Sequence, residues 1–200
     1  VRPRDRKLTL TAAALAAAAV GVAALRAYLV KDRRGPDEAA FEIVRTNVPA
    51  PEITLTGPDA RTFHLEQAKG QVLFINFWAT WCPPCREEMP SMVDLAQELT
   101  RSHPGKFRMV AVSADDSWED VRRYFKQVFG GIPADITVAR DPAGKAALAY
   151  YCSARGVCPD IKFPETYIVD GSGRLVAYIV SSRDWSAPVA RRFLERLISR

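Results

Sequence analysis

The chain has 200 residues, 48% of them hydrophobic, four cysteines, two histidines and a formal net charge of +5. That length suits one domain plus an appendage, and the apolar content is enough for a full core. Residues 1–34 hold eight Lys/Arg against two acids, which leaves 20 basic and 21 acidic groups in residues 35–200. The positive balance is therefore confined to the N-terminus, and no nucleic-acid partner is expected.

Arg2, Arg4, Arg6 and Lys7 precede an uncharged, Ala-rich run from Leu8 to Leu25. As a helix this run would reach about 27 Å, and about 34 Å if continued to Val30. Residues 1–30 are thus expected to be a membrane anchor with its N-terminus inside, or a signal peptide cleaved near Val22-Ala23-Ala24. An Ala-rich helix of a cytosolic protein is the bland alternative, disfavoured because residues 8–25 have no polar face. Either export reading puts the following domain in the cell envelope, on the periplasmic side of an inner membrane.

Residues 31–47 read as a linker, with charges and Gly35-Pro36, leading to Pro49 and Pro51. A domain is expected over 48–200. Ile53–Leu55 and Thr62–Leu65, around Gly57-Pro58-Asp59, suggest a hairpin. Gln71–Ala79 reads as a strand buried on both faces. Pro84–Thr100 reads as a helix kinked at Pro90. A second buried strand is expected over Phe107–Ser113, then a helix over Ser117–Phe129 with Ser117 as N-cap. Thr137–Ala139 suggests a short strand and Pro142–Tyr151 a helix. Tyr167–Asp170 and Leu175–Val180 form a hairpin around Gly171-Ser172-Gly173, and Ala187–Ile198 is a final helix. Strands alternating with helices, then an antiparallel hairpin, predict an α/β domain: a central mixed sheet flanked by helices.

The chemistry is concentrated at Trp81-Cys82-Pro83-Pro84-Cys85, between the first buried strand and its helix. Two thiols three positions apart can close a disulfide ring. The first stands where unpaired helix N–H groups and the helix dipole favour a thiolate, the nucleophile of disulfide exchange. Zinc is a weaker reading, since His64 and His103 lack useful spacing; a purely structural disulfide is the other alternative. Cys82, at the strand end, is expected to be the attacking thiol. Cys85, one turn into the helix, is expected to resolve the mixed disulfide. Pro83 and Pro84 supply no N–H groups, which biases the pair toward a reductant.

The segment Phe77-Trp78-Ala79-Thr80-Trp81-Cys82-Pro83-Pro84-Cys85-Arg86-Glu87-Glu88-Met89-Pro90 resembles the active-site segment of thioredoxin-like proteins of the TlpA/ResA/DsbE type. Phe163-Pro164-Glu165-Thr166-Tyr167-Ile168-Val169-Asp170 resembles their second signature, a cis-proline followed by a strand, and its Pro-Glu-Thr is most like the DsbE (CcmG) branch, which reduces apocytochrome c thiols. The resemblance covers roughly residues 48–200. It implies a thioredoxin-like fold and a thiol–disulfide oxidoreductase without cofactor or metal. Its partners would be protein disulfides or thiols, apocytochrome c among them, and an electron donor in the membrane. It also implies a cis Phe163–Pro164 bond facing the thiols, with Trp81, Phe163 and Glu165 along the client groove; a surface position at the strand edge is the alternative for Glu165. Thioredoxin has a buried Asp where this chain has Asn76, and ResA-like proteins carry a functional Glu at the position of Glu88. Glu88 is therefore expected to accept the Cys85 proton; a solvated helix Glu is the alternative. Trp78 reads as core.

Cys152 and Cys158 depart from the family pattern, in an insert over 152–163. A structural disulfide is the simplest expectation for an exported chain, worth roughly 2 kcal/mol for so short a loop. A second redox pair and a metal site are the alternatives. Two other functional classes remain in play. A thiol peroxidase would need Thr80 and an Arg around Cys82. A copper chaperone would need a distant His, and no His follows residue 103.

Overall fold

The computed structural model describes residues 36–158 and 160–200. Their centre is an eight-stranded mixed sheet. In chain order the elements are α1 (Pro36–Ala40), β1 (Val44–Pro49), β2 (Thr54–Thr56), β3 (Thr62–His64), a 3-10 turn (Leu65–Ala68), β4 (Val72–Trp78), α2 (Pro83–Ser102), β5 (Phe107–Ser113), α3 (Trp118–Phe129), β6 (Ile136–Arg140), α4 (Lys145–Arg155), β7 (Glu165–Val169), β8 (Arg174–Val180) and α5 (Pro188–Ile198). The strand order is β1-β8-β7-β4-β5-β6-β2-β3. β4, β5 and β6 run parallel, while β7, β8 and β1 are added antiparallel on one side and the β2–β3 hairpin on the other.

β4 is the axis of the domain. All seven of its residues are buried, as expected of a central strand covered on both faces. Its side chains alternate between two cores. Val72, Phe74 and Trp78 meet the apolar faces of α2, α3 and α5. Leu73, Ile75 and Phe77 meet α4 and the β2–β3 hairpin. Trp78 lies wholly in the first core, with ring centroids 5.1 Å from Tyr124 and 5.6 Å from Phe125.

Pro90 lies inside α2. It has no N–H for the carbonyl of Arg86, and the Tyr124 hydroxyl donates to that carbonyl instead, at 3.3 Å. The active-site helix thus keeps its Pro without an orphaned carbonyl.

The expected linker is corrected in part. From Asp37 onward this segment is folded onto the domain, and β1 pairs antiparallel with β8. Phe41 and Ile43 are core residues. The Arg45 guanidinium forks the buried Glu38 carboxylate, which Arg196 of α5 also reaches. The sequence hid this because β1 is a half-buried edge strand, with inward Val44, Thr46 and Val48 separated by polar residues and a terminal Pro49. Pro is tolerated at such an edge. Because Phe41 packs edge-on against Trp185 at 5.3 Å, Phe41→Ala should destabilise the fold by about 3 kcal/mol, read from the denaturant midpoint. An unchanged midpoint would mean that this segment rests on the domain without supporting it.

The apolar run of residues 1–30 lies outside the described residues. Among the described residues no helix is long and apolar enough to cross a membrane.

Candidate functional site

The two thiols sit where β4 gives way to α2. Cys82 is the N-cap of α2, and Pro83 and Pro84 fill its first two positions. Both prolines lack an N–H, so the first donor the helix presents is that of Cys85, which donates to Cys82 Sγ at 3.3 Å. Cys82 and Cys85 are joined as a disulfide with their Cα atoms 5.3 Å apart. Cys82 is 5% exposed and Cys85 is fully buried, so the first is the more accessible residue of the pair.

The turn entering the helix is fixed from below by Asp115, a residue that no sequence motif singles out. Its carboxylate accepts from the Thr80 N–H at 2.9 Å, the Thr80 hydroxyl and the Ser113 hydroxyl. Asp115 follows β5, which parallel pairing sets beside β4. The Thr80 hydroxyl proton is thereby directed to Asp115.

Trp81 is 65% exposed. Its ring meets Phe163 edge-on with centroids 5.9 Å apart. The Phe163–Pro164 peptide bond is cis, and Pro164 is held by its carbonyl, which accepts from Ser181 N–H at 3.1 Å. The sheet register brings these two distant signatures together, since Phe77 of β4 faces Glu165 of β7.

Glu88 lies one turn after Cys85 on the inward face of α2 and is 3% exposed, so it is no solvated helix Glu. Three donors converge on its carboxylate: Asn76 Nδ2 at 3.1 Å, Arg183 N–H at 3.0 Å and Trp185 Nε1 at 3.1 Å. Burial outweighs these donors and pushes the Glu88 carboxyl up to about 7. Asn76 bridges Glu88 to the Thr166 hydroxyl, at 3.0 Å, so the neutral residue in place of an Asp links the Glu to β7. An open polar depression lined by Glu87, Glu88, Ser91, Ser182, Arg183 and Ser186 lies on this side of α2. Arg183 and Trp185, in the loop between β8 and α5, carried no recognisable signal in sequence.

Glu165 is corrected. It was expected along the groove but is 3% exposed. Its carboxylate is held by Arg155 at 2.7 Å and accepts from the Tyr167 hydroxyl at 2.6 Å. The reason is that β7, which begins at Glu165, is covered on both faces, so this side chain is enclosed whichever face it takes.

Cys152 and Cys158 also form a disulfide. Cys152 lies within α4, which begins at Lys145 and continues to Arg155, where the sequence suggested Pro142–Tyr151. The helix ends at Gly156, whose φ of 70° is one that a side-chain-bearing residue rarely adopts. Further along the insert, Lys162 N–H donates to the Tyr151 hydroxyl at 2.9 Å. His64 meets Thr54 in the hairpin at 3.1 Å, and His103 caps the C-terminus of α2. Among the described residues no group of three or more His, Cys, Asp and Glu side chains could hold a metal.

Comparison with known proteins agrees with this geometry. Residues 46–178 match the AhpC/TSA family. The chain is 29% identical over 161 residues to the thiol-disulfide oxidoreductase ResA of Bacillus thuringiensis subsp. konkukian, covering 80% of this chain and 79% of that protein. It is 30% identical over 145 residues to a DsbE homolog, a thiol:disulfide interchange protein of Paracoccus denitrificans, covering 72% and 70%. Among solved structures, a thioredoxin-family thiol:disulfide interchange protein from Chlorobium tepidum superposes with a TM-score of 0.59 at 27% identity, covering 76% of this chain and 97% of that one. With its Cys82–Cys85 pair at the head of α2, the chain belongs to the AhpC/TSA family as a thioredoxin-like thiol–disulfide oxidoreductase of the ResA/DsbE type.

Proposed function

We propose that the protein reduces protein disulfides on the outer side of a membrane to which residues 1–30 tether or direct it. The observation that carries this reading is a buried carboxyl with raised proton affinity, Glu88, one turn from the fully buried Cys85. In the reduced enzyme the Cys82 thiolate attacks a client S–S bond. One client sulfur leaves as a thiolate and takes up a proton, and the other stays bonded to Cys82. Glu88 then takes the Cys85 proton, directly or through water. Cys85 attacks Cys82 Sγ, releases the second client thiolate and closes the Cys82–Cys85 disulfide. The client gains two electrons and two protons. A dithiol donor in the membrane restores them to the enzyme.

Trp81 and Phe163 form the apolar contact to the client, and the backbone before Pro164 pairs with an extended client segment. The Pro164-Glu165-Thr166 signature points to apocytochrome c thiols as the client class. A peroxidase reading gains no support at Thr80, whose hydroxyl is engaged by Asp115.

Equilibration against a thiol redox buffer tests the direction. A reductant should poise near the thioredoxin value of about −270 mV, and a potential near the about −120 mV of a strong oxidant would reverse the assignment. The Cys152–Cys158 pair acts as a structural staple in this reading. It should stay oxidised when a mild dithiol has already opened Cys82–Cys85, as mass spectrometry of alkylated protein across a reductant series would show. Simultaneous opening of both pairs, or a mixed disulfide linking Cys152 or Cys158 to Cys82, would replace the staple with a relay.

A further inference from the structure

Arg155 is the last residue of α4 and lies inside the loop closed by Cys152 and Cys158. Its Nη2 donates to both carboxylate oxygens of Glu165 at 2.7 Å, and its Nη1 donates to the Tyr167 hydroxyl at 3.0 Å. The same guanidinium lies over two rings, 4.8 Å from the Tyr151 centroid and 4.7 Å from that of Tyr178. Glu165 follows Pro164 directly. The guanidinium is thus fixed in plane by its hydrogen bonds and held by rings on α4 and β8, and it grips the residue that ends the Phe163–Pro164 turn.

Stability alone is a weak reason for such a cluster, because a buried ion pair is often no better than apolar side chains of similar volume. What the guanidinium adds is a planar pair of donors: Nη2 holds both Glu165 oxygens while Nη1 holds the Tyr167 hydroxyl, a two-partner geometry that a single-point ammonium does not reproduce.

We propose that Arg155 is a positioning residue for client recognition: through Glu165 it sets the Phe163–Pro164 turn against Trp81, and the Cys152–Cys158 disulfide holds Arg155 in that pose. The proposal rests on the reading that Trp81 and Phe163 contact the client. It makes the second disulfide a determinant of client affinity that exchanges no electrons with Cys82. Loss of this two-partner hold loosens the turn and weakens capture of a protein client. The thiol chemistry at the head of α2, which contains no part of this cluster, is left as it was.

Single-turnover reduction of insulin by the mildly pre-reduced full chain tests this, with the small disulfide 5,5′-dithiobis(2-nitrobenzoate) as the probe that needs no groove. Arg155→Lys keeps the charge and loses the planar two-donor hold on Glu165 and Tyr167. It should raise the half-saturating insulin concentration about tenfold with the saturating rate and the small-disulfide rate within about twofold of the parent. The pair Cys152→Ser/Cys158→Ser should move half-saturation the same way by about threefold, and the triple variant should go no further than Arg155→Lys, since both act through one guanidinium. Trp81→Ala probes the client contact itself. If it raises half-saturation while Arg155→Lys and the double Ser variant do not, the positioning role is wrong and the groove stands. If none of the variants moves it, the groove reading falls and the proposal with it. Additive effects in the triple variant would uncouple the disulfide from Arg155. Should Arg155→Lys fail to fold, the double Ser variant decides, and an unchanged half-saturation there overturns the proposal.

Discussion

Cys85→Ser accumulates mixed disulfides with client proteins through Cys82, and Cys82→Ser accumulates none. The expectation follows from access and sequence of events. Cys82 caps α2 and is the more accessible of the two residues, whereas Cys85 is fully buried. A client sulfur therefore meets the first more readily. Once the mixed disulfide exists, its resolution depends on the second, so removing Cys85 stops the reaction at the bound stage. Removing Cys82 leaves a buried thiol with no approach. Multiple-turnover reduction should fall by at least about 10³-fold in either variant, but only Cys85→Ser should show client-sized adducts on non-reducing gels, reversed by a dithiol. Adducts formed as readily by Cys82→Ser would exchange the roles of the two cysteines.

The fold was legible where local patterns were strong. The all-apolar run of β4, the Ser117 cap of α3 and the Gly171-Ser172-Gly173 turn each needed only the rules of their own element. β1 was missed because an edge strand buries alternate residues only, and Val44, Thr46 and Val48 are spaced by Arg and Asn and stop at a Pro. The end of α4 was misjudged because Cys152 and the residues after it looked like an insert, when a disulfide, a left-handed Gly156 and an ion pair extend and finish the helix.

The site was legible in its reactive atoms and opaque in their surroundings. Two cysteines three residues apart before a helix carry a chemical signature that needs no tertiary knowledge. Asp115, Arg183 and Trp185 carry none: each matters because pairing of distant strands brings it to Thr80 or Glu88. Glu165 shows the reverse failure. Its neighbour Pro164 suggested the groove, yet an Arg ten residues upstream draws its carboxylate into the interior. A sequence gives the identity of an ionisable group readily and its partner only when the partner is local.

Glu88→Gln should slow resolution of the mixed disulfide by about 10²-fold, the lower end of what a positioned general base contributes, and it should remove a pH dependence of stability. The sign follows from where the proton sits. The Glu88 carboxyl has its ordinary value of 4.5 when unfolded and is pushed up to about 7 in the fold, chiefly by burial. Between those values the folded protein holds a proton that the unfolded chain has lost. The stabilisation is therefore complete below 4.5 and is lost as pH rises through 7, by on the order of 3 kcal/mol across the window. In the oxidised protein, urea midpoints of the parent should fall from pH 4.5 to pH 8.5 relative to those of Glu88→Gln, whose side chain does not titrate. The same variant should lose the inflection near pH 7 that Glu88 gives the exchange rate. Gln can accept at only one oxygen, so one of the three donors from Asn76, Arg183 and Trp185 loses its partner. That cost lowers stability at every pH by a similar amount and leaves the slope as the measure of the proton. Parallel pH profiles of stability with an unchanged resolution rate would make Glu88 a structural acceptor for the loop between β8 and α5, and the Cys85 proton would need another destination.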